Sequence, residues 1–266
     1  MPALLPLVCT DPARHAEAAG IAARYGLPVL ADIDALYGTY WLRLDATGLA
    51  LLGRGADAPG PVHVDWTGGA LGHRLRFGGG RGQPLARAIG LKGGACPAVA
   101  DLTAGLGRDA CVLAALGCRV TLVERSPVVC ALLDDGIARA AADTGIGSWV
   151  RERVQLVHAD GSAWLQAAAQ QAQAAPAQRP EVIYLDPMYP HREQSALVKK
   201  EMRAFRAVVG DDLDADALLA PALAVALRRV VVKRPKGAPP LAGRAPSHVI
   251  ASPNTRYDVY VTLAGA

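Results

Sequence analysis

Aromatic residues are scarce in this chain, with four Trp, seven Tyr and two Phe among 266 residues. The five cysteines, Cys9, Cys96, Cys111, Cys118 and Cys130, include no Cys-x-x-Cys pair. Neither a zinc site nor a disulfide framework is therefore indicated, no metal is expected, and the thiols read as small buried hydrophobes in a reducing compartment. Long apolar runs are also lacking. The best candidate, residues 217–227, is interrupted by Pro221 and falls well short of the roughly 20 residues that cross a bilayer. The opening Met1-Pro-Ala-Leu-Leu-Pro has neither the basic region nor the small-residue cleavage site of a secretion signal, so a cytoplasmic location is expected. Acidic residues are missing from residues 217–257, a stretch that holds Arg228, Arg229, Lys233, Arg234, Lys236, Arg244 and Arg256.

At 52% hydrophobic and a net charge of +4, the chain can bury one full core with a smaller unit beside it. Residues 1–80 read as a small α+β domain. A helix over residues 11–25, capped by Thr10 or Asp11, precedes strand-like stretches at 40–44, 49–52, 62–66 and 73–77. A glycine-rich turn at residues 78–82 then leads into a second domain, residues 81–266, where strands and helices alternate. Apolar strands are expected at 97–102, 119–124, 154–158, 182–185 and 229–233. Helices are expected at 108–116, from Ser126-Pro127 onward with Ser as cap, at 166–179 and at 217–227. The last strand, 257–263, follows a Pro/Gly-rich connection without a helix, and such a pair is most easily antiparallel. The expected fold is α/β, a mostly parallel Rossmann-like sheet ending in an antiparallel hairpin, as methyltransferase sheets do.

Two loops carry the chemistry, each directly after an apolar strand. In Asp101-Leu-Thr-Ala-Gly105-Leu-Gly107-Arg108-Asp109 the glycines allow backbone to approach a ligand. A dinucleotide loop would place glycine three positions after Gly107, where Ala110 stands, and Asp109 would face an incoming diphosphate. A ligand with a cationic amino group and no phosphate fits better, and S-adenosylmethionine carries a sulfonium and an ammonium. Glu124 ends the next strand, where a carboxylate can accept two ribose hydroxyls. Asp160 follows the strand after that, at the position of an adenine amino group.

The second loop, Asp186-Pro187-Met-Tyr189-Pro190, resembles the Asp/Asn-Pro-Pro-Tyr/Phe loop of methyltransferases acting on exocyclic amines of bases. Asp186 and the Pro187 carbonyl can accept the amine hydrogens, and Tyr189 offers a stacking face. His191 and Arg192 follow at once. A basic cluster, Arg192, Lys199, Lys200, Arg203 and Arg206, faces only Glu193 and Glu201 in sequence. With the acid-free 217–257 stretch, it points to phosphate contacts through His191, Arg192, Lys199, Lys200, Arg203, Lys233, Arg234 and Lys236.

The two loops, together with Ser195-Ala-Leu-Val-Lys-Lys-Glu-Met-Arg203 and Val232-Lys-Arg-Pro235, resemble the bacterial RsmJ family from about residue 80 to the end. The resemblance extends more loosely into the first unit, at Gly38-Thr39-Tyr40. It implies a class I fold and methylation of N2 of the guanine at position 1516 of 16S ribosomal RNA, from S-adenosylmethionine, on the small subunit or its precursor. It also implies donor contacts at Arg108, Asp109, Glu124, Arg125, Asp160, Gly161 and Asp186. Asp160-Gly161 departs from the small hydroxyl residues usual in the family, and Tyr189 replaces the more usual Phe. The loops alone leave open a DNA or other RNA base methyltransferase, a non-catalytic ribosome-assembly factor, and, disfavoured by the first loop, an NAD-dependent oxidoreductase.

Overall fold

The computed structural model describes residues 4–35, 38–55, 58–174, 179–188, 198–210, 212 and 214–262, and among them two sheets form. The first sheet comes from β1 (Leu7–Cys9), β2 (Val29–Leu30), β3 (Tyr40–Asp45) and β4 (Gly48–Gly53), in the order β2-β1-β3-β4 with only β3–β4 antiparallel. Asp11 accepts the Ala13 N–H and caps a short 3-10 turn, Pro12–Arg14, that feeds α1 (His15–Tyr25). The β3–β4 turn needs Gly48, whose φ is 126°. A Cβ there would lie 2.6 Å from the Arg139 Nε, so this turn is seated directly on the second unit.

Residues 73–77 are not a strand. They belong to helix α2 (Gly69–Phe77), because Leu71 and Leu75, four residues apart, both turn into the core. Residues 62–66 contribute one bridge, Val62 to Leu51, in place of the expected strand. The short helix α3 (Pro84–Ile89) follows.

The second sheet and its helices run β5 (Val99–Asp101), α4 (Arg108–Ala115), β6 (Val120–Glu124), α5 (Pro127–Ala142), α6 (Gly147–Arg153), β7 (Val154–His158), α7 (Gly161–Ala174), β8 (Val182–Leu185), α8 (Val198–Val209), α9 (Ala215–Val225), β9 (Arg229–Pro235), β10 (His248–Ala251) and β11 (Thr255–Val261). The strand order is β10-β11-β9-β8-β5-β6-β7. The five strands from β9 to β7 are parallel, and β11 is antiparallel to both its neighbours. The antiparallel ending is as expected, but β10, unforeseen, occupies the edge inside the Pro/Gly-rich connection. Ser126 caps α5 by accepting the Val129 N–H, with Pro127 at its first position.

Strand alternation divides the interior. Val182, Tyr184 and Val231 face a core made with α4, α5 and the leucines of the first sheet, Leu42, Leu44, Leu49 and Leu51. Ile183, Leu185, Val230 and Val232 face the opposite side, against Leu165 of α7 and Leu219, Ala222 and Val225 of α9. Cys111, Cys118 and Cys130 are buried as expected, while Cys96 is exposed and Cys9 half-buried. Among the described residues no helix is long and apolar enough to cross a membrane. From β5 the chain winds outward through β6 and β7, and from β8 it winds the other way through β9. Such a reversal opens a crevice at the carboxyl ends of the strands, between β5 and β8.

Candidate active site

That crevice is a cavity of about 310 Å³, within the usual range for small-ligand sites. Its floor is the loop after β5. Asp101 ends the strand, and its Oδ1 accepts the Thr103 N–H at 3.1 Å. Gly105, at φ 52°, donates its N–H to Glu124 Oε2 at 3.0 Å, while Glu124 Oε1 accepts the Ser126 N–H at 2.8 Å. Thus the carboxylate ending β6 is oriented by the loop and by the start of α5. A Cβ on Gly105 would find as its nearest neighbour only the Thr103 carbonyl, at 3.9 Å, so the backbone lies open to the cavity.

Gly107 does something else. At φ 67° it is absent from the cavity wall, and a Cβ there would come within 2.8 Å of the Trp66 ring and about 3 Å of Leu133 and Leu122. Packing against Trp66, Leu122 and Leu133 requires glycine at this position of the loop.

Asp109, at the start of α4, is the hub of the site. Its Oδ1 accepts from Arg74 Nη1 at 2.7 Å, and its Oδ2 accepts from the Tyr184 hydroxyl at 2.7 Å and from Lys233 Nζ at 3.0 Å. Burial alone would raise its pKa, but Lys233 and Arg74 outweigh that and hold it at about 2. Asp101, buried and facing Asp109, Asp186 and Glu124, has a single close backbone donor, and burial pushes it to about 8. Burial likewise raises Glu124.

Asp186 follows β8. Its N–H donates to Thr103 Oγ1 at 2.6 Å, and its Oδ2 accepts from Lys233 Nζ at 2.7 Å. Enclosure raises its pKa, against the pull of Lys233, and 39% of its side chain remains open along the cavity. Met188, two residues on, exchanges backbone and side-chain hydrogen bonds with Asp212: its N–H donates to Asp212 Oδ2 at 2.7 Å, and its carbonyl accepts the Asp212 N–H at 3.2 Å. Asp212 also pairs with Arg125, which spans to Asp214 as well. Asp160 Oδ1 caps α7, accepting from Ser162 and Ala163 N–H groups at 2.9 and 3.2 Å.

The structure therefore brings Asp101, Gly105, Arg108, Asp109, Glu124, Arg125, Asp160, Gly161, Asp186 and Pro187 to one cavity. Lys233, read in the sequence as a phosphate contact, also lines this cavity, paired with Asp109 and Asp186. Arg234 points to the other face of the sheet, 4% exposed, and donates to the Pro239 carbonyl, which removes it from any surface contact. Lys236 is exposed beyond β9. Lys199, Lys200 and Arg203 lie on α8, which also sends Phe205 and Val209 to the cavity wall. Tyr189, His191 and Arg192 lie outside the described residues. Arg74, Thr103, Tyr184 and Asp212 carry no role in the sequence reading. Thr103 sits inside the first loop and Asp212 in an acidic run, whereas nothing in the sequence marks Tyr184.

The sequence family described as "Putative SAM-dependent methyltransferase" matches residues 21–262. The ribosomal RNA small subunit methyltransferase J of Edwardsiella ictaluri is 52% identical over 264 residues, covering 98% of this chain and 100% of that one. Its Vibrio campbellii counterpart is 53% identical over 267 residues, covering 98% and 99%. The crystal structure of a SAM-dependent methyltransferase from Neisseria gonorrhoeae superposes with a TM-score of 0.76 at 31% identity, covering 98% of this chain and 97% of that one.

S-adenosylmethionine, the cofactor of this family, fits the residues present. Among the described residues six carboxylates, besides an Asp101 kept largely protonated at neutral pH, line the cavity against four cationic side chains, which suits a ligand bearing a sulfonium and an ammonium and disfavours a diphosphate. Gly105 leaves backbone bare, the Glu124 carboxylate stands at a strand end, and Leu102, Met188 and Leu218 supply apolar wall. With its fold, its site and its relatives in agreement over nearly the full length, the chain belongs to the ribosomal RNA small subunit methyltransferase J family of S-adenosylmethionine-dependent methyltransferases.

Proposed function

We propose that this enzyme methylates N2 of the guanine at position 1516 of 16S ribosomal RNA, on the small subunit or its precursor. The observation that carries this reading is the joining of the two loops at one cavity, with Asp186 anchored to Thr103 by its N–H and to Lys233 by its carboxylate. When bound, S-adenosylmethionine supplies an electrophilic methyl group. Glu124 and Asp160 hold the nucleoside part and the Asp101–Asp109 loop the amino-acid part. The Asp186 carboxylate and the Pro187 carbonyl accept the two hydrogens of the guanine amine, which aims its lone pair and restrains an otherwise weak nucleophile. Most of the rate then comes from holding the reactants in line. Once the nitrogen has become cationic, Asp186, its basicity raised by enclosure, can take the proton. Tyr189 stacks on the base. Contacts to RNA phosphates come from His191, Arg192, Lys199, Lys200, Arg203 and Lys236.

The test is tritiated methyl transfer to 30S subunits and to naked 16S rRNA prepared without this enzyme, followed by digestion to nucleosides. Label in N2-methylguanosine is expected, and Asp186→Ala should abolish it. Label in another nucleoside, or none despite donor binding, overturns the proposed substrate.

A further inference from the structure

Residues 66–100 contain no Asp or Glu, yet hold Arg74, Arg76, Arg81, Arg87 and Lys92. Within this stretch α2 presents Phe77, 72% exposed and the most exposed large hydrophobic among the described residues. The chain has only two phenylalanines, and this ring keeps its apolar area available for burial against a partner. The exposed His73 lies against it, ring centroids 4.8 Å apart at 42°.

The ring is presented rigidly. Leu71 and Leu75 fasten the opposite flank of α2 to the core. Arg74, one turn before Phe77 and so about 5–6 Å away along the helix, reaches into the cavity to Asp109 and also meets Gln83 Oε1 at 3.2 Å. Just beyond the ring, Gly78, Gly79 and Gly80 carry no side chains, the latter two at φ 85° and 53°. Arg81 then pins the loop by donating to the carbonyls of Ala95 at 2.8 Å and Leu116 at 3.1 Å. A bare aromatic pair therefore stands on α2 one turn from Arg74, which lines the active-site cavity, in a basic segment without Asp or Glu.

We infer that Phe77, with His73, is a stacking platform for an unpaired RNA base flanking the target guanine. A target base that enters this cavity must leave its own stack, and its neighbours then lose a stacking partner. An exposed aromatic edge beside the pocket supplies one, and stacking accepts any base. The stretch is basic along the chain, with Arg87 and Lys92 exposed in it, which suits a polyanion. This inference rests on the proposed rRNA substrate and gives the first unit a part in holding it.

The experiment compares wild type, Phe77→Ala and Phe77→Trp in methyl transfer to naked 16S rRNA and to 30S subunits, with S-adenosylmethionine affinity measured separately by calorimetry. Phe77→Ala is expected to raise the KM for RNA roughly ten- to hundredfold, the loss that follows removal of one base-stacking aromatic, with donor affinity unchanged. Phe77→Trp is expected to restore it. A photo-crosslinking benzoylphenylalanine at position 77 is expected to capture rRNA. Wild-type activity together with an unaltered KM in Phe77→Ala overturns the platform and leaves the proposed function standing. Loss of donor affinity in Phe77→Ala, failure of Phe77→Trp to recover, or capture of a ribosomal protein also overturns it. Inactivity of the wild type on both substrates takes down the proposed function and the platform with it.

Discussion

Replacing Lys233 with methionine keeps the length of the side chain and removes the charge that bridges Asp109 and Asp186. At 2.7 Å and an effective dielectric of about 20, the Lys233–Asp186 attraction is about 6 kcal/mol before desolvation. Lys233 is 25% exposed and Asp186 39%, so solvent screening and the recovered cost of burying the ammonium reduce the net loss to about 2 kcal/mol. If that energy aims the Asp186 carboxylate at the amine, kcat falls about 30-fold. The direction of the pH effect follows from the same contacts. Asp186 already titrates above its ordinary range because burial outweighs the pull of Lys233, and Asp109 and Asp212 add to the rise. Without Lys233 it titrates higher still, and an enzyme that needs the carboxylate loses activity as pH falls through that value. The acidic limb of kcat in Lys233→Met therefore moves to higher pH, while the KM for RNA changes little. Steady-state methyl transfer from about pH 5 to about pH 9 measures both. Wild-type kcat with an unmoved acidic limb refutes the positioning role.

Other substitutions separate ligand contacts from packing. Gly107→Ala forces a methyl group onto Trp66, Leu122 and Leu133 at a positive φ, and should cost about 2–4 kcal/mol in thermal unfolding. Gly105→Ala meets only the Thr103 carbonyl, so it should cost about 1 kcal/mol of stability while weakening donor binding, read by calorimetry. Asp101, raised from 3.8 unfolded to about 8 folded, adds stability at low pH that is lost as pH rises between those values. Asp101→Asn should therefore gain Tm relative to wild type progressively over that window, and a constant difference would contradict the burial argument. Replacing Lys199 and Lys200 with alanine should weaken RNA binding and make its salt dependence shallower, by a slope of about 1 per lost phosphate contact.

The parallel strands were legible because each is an apolar run that stops at a chemically loaded loop, as Val182–Leu185 does before Asp186. The same runs placed Asp101, Glu124, Asp160 and Asp186 at one sheet edge. Lys233 and Arg234 could not be told apart in a linear charge count. On a strand they face opposite sides, and only the register of β9 against β8 shows that Lys233 shares a face with Tyr184 while Arg234 does not. Residues 73–77 look like a strand in sequence because His-Arg-Leu-Arg-Phe alternates over five residues, too short to distinguish the two periods. Its helical contact, Leu71 with Leu75, begins before that window. Strand β10 pairs only through its backbone with β11, and its side chains are largely exposed, so no hydrophobic pattern announced it. The role of Gly107 lay in a contact with Trp66, roughly forty residues earlier, which local sequence does not encode.

The seating of the first sheet on α5 has a consequence for synthesis of the chain. Leu42, Leu44, Leu49 and Leu51 are complete by residue 53, but α5, which packs on β4 and α1, begins at Pro127, roughly seventy residues later. Gly136 of α5 lies so close to Val64 that a Cβ would approach to 2.3 Å, and Arg139 donates to the Val64 carbonyl at 2.6 Å. At ordinary elongation rates the β4 side of that face therefore waits several seconds for its cover, while α1 already packs on β1. Completion of the first sheet's packing thus depends on a helix made later in the chain, so slowing translation before residue 142 should prolong an aggregation-exposed nascent state, and speeding it should shorten that state.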